Sequence, residues 1–77
     1  TQGEILAVLD STEYRADLER SIAQVAAAQE RLDESQRGNR PDEIRQAQAD
    51  LAEAKTQLDQ ARRTFERRKE LFEQKIT

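Results

Sequence analysis

An apolar residue recurs at every seventh position in the second half of the chain: Ile44, Leu51, Leu58, Phe65 and Phe72. Ala47, Ala54, Ala61 and Arg68 follow three residues after the first four of them. A pattern of this period, unbroken from Ile44 to Phe72, draws one narrow stripe along an α-helix, and no β-strand repeats that way. The spacing predicts a helix over about 41–75 whose stripe has to be covered by another helix.

The first half supplies a candidate. Asp10, Ser11 and Thr12 carry side-chain oxygens suited to an N-cap, and Glu13 lies three residues after Asp10, as in a capping box. A helix over about 12–37 is predicted from there, with Leu18, Ile22, Val25 and Leu32 as its seam, Gln29 filling the remaining seam position, and Ala26, Ala27 and Ala28 beside it. Between the helices, Gly38 suits a C′ position, Pro41 suits the first helical position, and Asp42 and Glu43 suit the positive end of a helix dipole. Pro41 also disfavours helical geometry at Arg40.

The fold class that follows is all-α: two long coiled-coil helices broken between Gly38 and Pro41, either an antiparallel hairpin or a kinked arm. Folded back at Gly38, the chain would set Leu32 against Ile44, Val25 against Leu51, Leu18 against Leu58 and Ile22 beside Ala54. Phe65, Phe72 and Ile76 would then overhang the start of the first helix and call for a second copy or another helix. Residues 5–9, Ile-Leu-Ala-Val-Leu, are apolar without alternation and read as a short strand over about 4–9 covered on both faces. A lone strand leaves its backbone unpaired, so its partner strands are expected elsewhere and the chain reads as an excised segment.

Composition narrows the chemistry. With no histidine and no cysteine, the chain lacks the commonest general base, the usual zinc ligands and disulfide staples. Its serines and threonines have no histidine to activate them, and its carboxylate pairs, such as Glu66 with Glu70, sit among arginines with no sequence sign of a pocket. Glu30, Asp33 and Glu34 share a helix face, but a calcium site needs oxygens converging from a turning backbone, so a solvated acidic face is expected. No catalytic, cofactor-binding or metal-binding residue is assigned, and the chain is not expected to be an enzyme.

Arg62, Arg63, Arg67, Arg68 and Lys69 form the one basic cluster, but Asp59, Glu66, Glu70 and Glu73 are interleaved with it and no aromatic platform accompanies it. Nucleic acid is therefore not an expected partner. The net charge of -3 is too small to steer the chain to nucleic acid or to an anionic membrane. The longest apolar run is far below the ~20 residues that span a bilayer, so no membrane span is expected in this segment.

Three segments together resemble the HlyD-like membrane-fusion, or periplasmic adaptor, family. Gly3, Glu4, the apolar run to Leu9, Asp10 and then Tyr14 and Leu18 are similar to the strand closing half of that family's lipoyl-like domain and the entry into its α-helical arm. Gly38, Arg40, Pro41, Asp42, Glu43 and Ile44 are similar to a break found in some adaptors of ABC-type exporters. The stretch from Arg67 to Thr77 looks like the approach to the arm's tip.

The resemblance implies residues 1–10 as the end of a lipoyl-like half-motif and 11–77 as coiled-coil arm. It implies a structural adaptor in a periplasmic efflux or secretion assembly, anchored in the inner membrane through regions outside this segment. The partners implied are an inner-membrane transporter, an outer-membrane channel and other copies of the arm. Arg67, Leu71 and Thr77 would be the channel-facing residues, although Thr77 stands where the family's tip motif carries Ser, with one residue fewer before it. The bland alternative is a structural coiled coil, a scaffold or oligomerisation segment of no such family.

Overall fold

A computed structural model describes the backbone of residues 2–76 and the side chains of residues 12–74. Helix α1 runs Gln2–Gly38 and helix α2 runs Pro41–Ile76. They fold back on each other as an antiparallel hairpin 57 Å long and 14 by 12 Å across. At about 1.5 Å per residue, either helix alone accounts for almost the whole of that length, so the two lie side by side from the turn to the open end.

The reversal occurs at Asn39 and Arg40, just after Gly38. Asn39 adopts the left-handed conformation at φ 51°, and its N–H donates to the carbonyl of Gln36 at 3.2 Å. Gly38, expected at that left-handed position, is instead the last residue of α1 and has no positive φ. Asn tolerates the left-handed region because its short polar side chain can bond locally, so the glycine one residue earlier is not needed for the turn. Pro41 opens α2, where its missing N–H costs nothing, and the Ile44 N–H closes the first α-helical bond onto the Arg40 carbonyl at 2.9 Å.

Asp42 and Glu43 occupy the first turn of α2 and Arg37 the last turn of α1, each favourable to its helix dipole. Arg40 bonds Glu43 at 3.2 Å, and Asp42 pairs with Arg45.

Heptad phase favours a hairpin over a straight or kinked rod. The inward positions of α1 are Tyr14, Leu18, Ser21, Val25, Ala28, Leu32 and Ser35; those of α2 are Ile44, Ala47, Leu51, Ala54, Leu58, Ala61, Phe65 and Phe72. If α1 continued unbroken, its stripe would fall one to two residues short of the α2 stripe, a rotation of about 150°. No single partner could cover both along a rod, whereas folding back lets each stripe cover the other.

Counted outward from the turn, Ser35 is level with Ile44, Leu32 with Ala47, Ala28 with Leu51, Val25 with Ala54, Ser21 with Leu58, Leu18 with Ala61 and Tyr14 with Phe65. Large faces small in most layers, so the helices stay evenly spaced and the side chains interdigitate. Ala28, Leu32, Ala47, Leu51 and Ala54 form the buried core, with Val25 and Ile44 packed against it.

This register replaces the large-against-large pairing of Leu32 with Ile44, Val25 with Leu51 and Leu18 with Leu58. The turn lies beyond Gly38, which shifts every level by nearly one helical turn. Ile22 is also not on the seam: it is 50% exposed, and Gln29 is exposed with it. Counting from Leu18, the structure follows the step of three to Ser21 and Ala28, not the step of four to Ile22 and Gln29. Volume decides, because alanine and serine fit opposite leucine in a two-helix layer where isoleucine and glutamine would force the helices apart.

The expected strand over residues 4–9 is a second correction, since α1 runs through these residues without a break. An extended segment with no neighbouring strand would leave its backbone polar groups unpaired, while a helix pairs them within itself. Asp10, Ser11 and Thr12 accordingly lie inside the helix and do not start it. The longer α1 also removes the overhang expected of α2: Phe65 and Phe72 are half-buried, and Arg15 lies over the Phe65 ring at 5.9 Å. The side chain of Ile76 lies outside the described residues.

Candidate partner-binding surface

Between them, the two helices offer partners the outer faces and the two grooves beside the seam. The faces are laced with ion pairs inside each helix: Asp17 with Arg20 at 3.2 Å and Asp59 with Arg63 at 2.9 Å. Both pairs are exposed, so each contributes only a few tenths of a kcal/mol. Asp33 and Arg37, four residues apart on α1, meet through the main chain: the Arg37 Nε donates to the carbonyl of Asp33 at 3.4 Å, and the Asp33 carboxylate accepts from Gln29 Nε2 at 3.1 Å.

One groove, of about 310 Å³, has Ala28 and Ala54 at its base and Gln24, Arg31, Asp50, Glu53 and Gln57 around it. It is open, and its rim is polar. Among the described residues no cluster of three or more His, Cys, Asp or Glu is placed to hold a metal ion, and no buried side-chain polar atom lacks a partner. No helix is long and apolar enough, among the described residues, to cross a membrane.

Arg67 and Leu71 lie four residues apart on α2, near the open end of the hairpin. Both are exposed, Leu71 at 44%, and the neighbouring Phe72 is half-buried on the seam. Thr77 lies outside the described residues. Arg68 turns back across the hairpin and lies over the Tyr14 ring at 5.3 Å, tying the two helices at their open end. Of the seam positions read from sequence, Leu32 and Leu51 are buried; Leu18, Val25, Ile44, Leu58, Phe65 and Phe72 are half-buried; Ile22 faces out.

Sequence reasoning missed Tyr14, Ser21, Ala28 and Ser35 as seam positions. Their spacing of seven was legible, but small and polar residues carry little hydrophobic signal. The hairpin also places residues 2–10, of the stretch read as the arm's base, at the same end as residues 67–76, of the stretch read as its tip approach. The far end is the turn at Asn39.

The fold is an antiparallel two-helix hairpin module. More specifically, the chain belongs to the YBHG alpha-helical hairpin domain family, a domain of membrane-fusion-type adaptor proteins, whose family model matches residues 9–77. No curated protein and no solved structure matches the chain.

Proposed function

We propose that this hairpin is a structural adaptor segment of the HlyD-like type, part of a periplasmic efflux or secretion assembly that links an inner-membrane transporter to an outer-membrane channel. The observation that carries the reading is the hairpin-domain match over residues 9–77. On this reading the segment sits in the periplasm, and the membrane anchor belongs to the rest of the protein. Residues 1–10 belong to the edge of a lipoyl-like half-motif and would take strand form only beside strands supplied from elsewhere.

Arg67 and Leu71 are the proposed contact for the outer partner, with Thr77 beyond them. An exposed leucine one helical turn from an arginine suits a helical end that offers an apolar groove beside backbone or side-chain acceptors. Because these residues stand at the open end, the partner has to approach that end and not the turn. In the full-length protein, Arg67→Glu is expected to leave folding and inner-membrane partner binding intact while weakening cross-linking to the outer-membrane channel and lowering export. Normal cross-linking and export at wild-type abundance would remove Arg67 from the contact and leave this face as ordinary solvated helix.

A further inference from the structure

Two contacts cross from one helix to the other near the open end, one in each direction. Arg15 of α1 lies over the Phe65 ring of α2 at 5.9 Å, and Arg68 of α2 lies over the Tyr14 ring of α1 at 5.3 Å. Tyr14 and Phe65 stand level with each other on the seam. Arg15 follows Tyr14 by one residue, a rotation of about 100°, and Arg68 follows Phe65 by three, about 60° in the other sense. The two arginines therefore approach the aromatic layer from opposite sides of the seam.

That layer is set apart from the buried core. Ala28, Leu32, Ala47, Leu51 and Ala54, which make up the core, lie toward the turn. Between them and the rings, Ser21 stands level with Leu58 and Leu18 with Ala61, and all four are half-buried. Serine opposite leucine gives the leucine few atoms to pack on. The ion pairs on the same turns, Asp17 with Arg20 and Asp59 with Arg63, each lie within one helix and do not bridge the seam.

We propose that Arg15 and Arg68 form a latch on the open half of the hairpin, and that this half opens as a unit while the half next to the turn stays paired. The Ser21 and Leu58 layer is the boundary. A guanidinium suits a latch because it is planar, always charged and more weakly hydrated than an ammonium, so it can rest on a ring face at the surface and leave it again. With both contacts closed, the rings are covered from either side. With both broken, half-buried layers alone oppose separation, and opening is drawn to the parts of a fold with the fewest buried apolar contacts. The latch does not depend on the adaptor reading.

The chain has no cysteine, so pairs of spin labels can be placed at chosen cysteines without a background. Ala16→Cys with Glu70→Cys reports on the open half, and Ala27→Cys with Ala52→Cys on the half next to the turn; all four positions are exposed. Distances are read by pulsed electron spin resonance on the full 77-residue chain, in urea up to the onset of helix loss seen by circular dichroism. The first pair is expected to show a closed distance and a longer, open one, while the second keeps a single distance. Arg15→Gln and Arg68→Gln are each expected to raise the ratio of open to closed about two- to fivefold, as one exposed cation–ring contact would, and the double variant to raise it further. Glutamine keeps the helix propensity and part of the stem, so what is lost is the charge over the ring. Arg63→Gln removes the same charge and breaks an ion pair within α2, and is expected to leave the ratio unchanged. A ratio left unshifted by either Arg15→Gln or Arg68→Gln overturns the latch. So do two label pairs that spread together, or an effect of Arg63→Gln as large as that of Arg68→Gln.

Discussion

Asn39 and Gly38 divide the work of the turn in an order that can be improved. Asn39 holds a left-handed φ of 51°, which glycine adopts at no steric cost, while Gly38 sits in helical geometry where a Cβ would meet nothing within 4 Å. Gly38→Ala is expected to raise stability by about 0.5–1 kcal/mol, because it removes unfolded-state freedom and adds a better helix former. Asn39→Gly is expected to be neutral or mildly stabilising, and Asn39→Val to destabilise by about 1–2 kcal/mol, since a β-branched residue fits the left-handed region poorly. Urea titrations followed by circular dichroism check all three. The same effect from Asn39→Val and Asn39→Gly would mean that the turn does not depend on this φ.

Along each helix, seam and surface positions differ by one residue, and their energetics should differ accordingly. Leu51 is 8% exposed in the core, Leu58 is half-buried where only Ser21 stands level with it, and Gln57 faces the open groove. Leu51→Ala is expected to cost about 2–4 kcal/mol, Leu58→Ala less, and Gln57→Ala close to nothing. Denaturation midpoints of the three variants give the comparison, and equal losses at Leu51 and Gln57 would rule out this seam. Ile22 shows where the reading by hydrophobicity fails at this scale. A pattern that rewards large apolar residues picks Ile22 and Gln29, whereas the packed pair picks Ser21 and Ala28 because the opposite helix supplies the bulk.

For the molecule as a whole, the buried core spans both helices, so neither half is complete alone. Peptides covering residues 1–39 and 40–77 are each expected to be less helical alone than when mixed, with the gain growing with concentration, since what they lack apart is the burial that each provides to the other. Additive circular dichroism spectra at all concentrations would mean that the helices are stable without the hairpin. The ion pairs Asp17–Arg20, Arg40–Glu43, Asp42–Arg45 and Asp59–Arg63 each join residues three or four apart in sequence and add little, so salt acting on them is not expected to separate the two helices.

The sequence alone determined that the chain is helical and where it breaks. Seven-residue spacing from Ile44 to Phe72 has no other regular solution, and Pro41 followed by Asp42 and Glu43 marks a helix start by backbone chemistry that needs no tertiary help. The absence of histidine and cysteine narrowed the site chemistry in the same way, as a statement about donors and acceptors.

Tertiary structure decided which side of α1 is inside, whether the break reverses the chain, and what residues 4–9 become. The first depends on the volume of the facing helix, which no local pattern contains. The second depends on the angle between two stripes, legible only once the α1 seam is known to run through Ser21 and Ala28. The third depends on whether neighbouring strands exist: without them, a backbone read as extended from its side chains forms helix, because that is how it can satisfy its own hydrogen bonds.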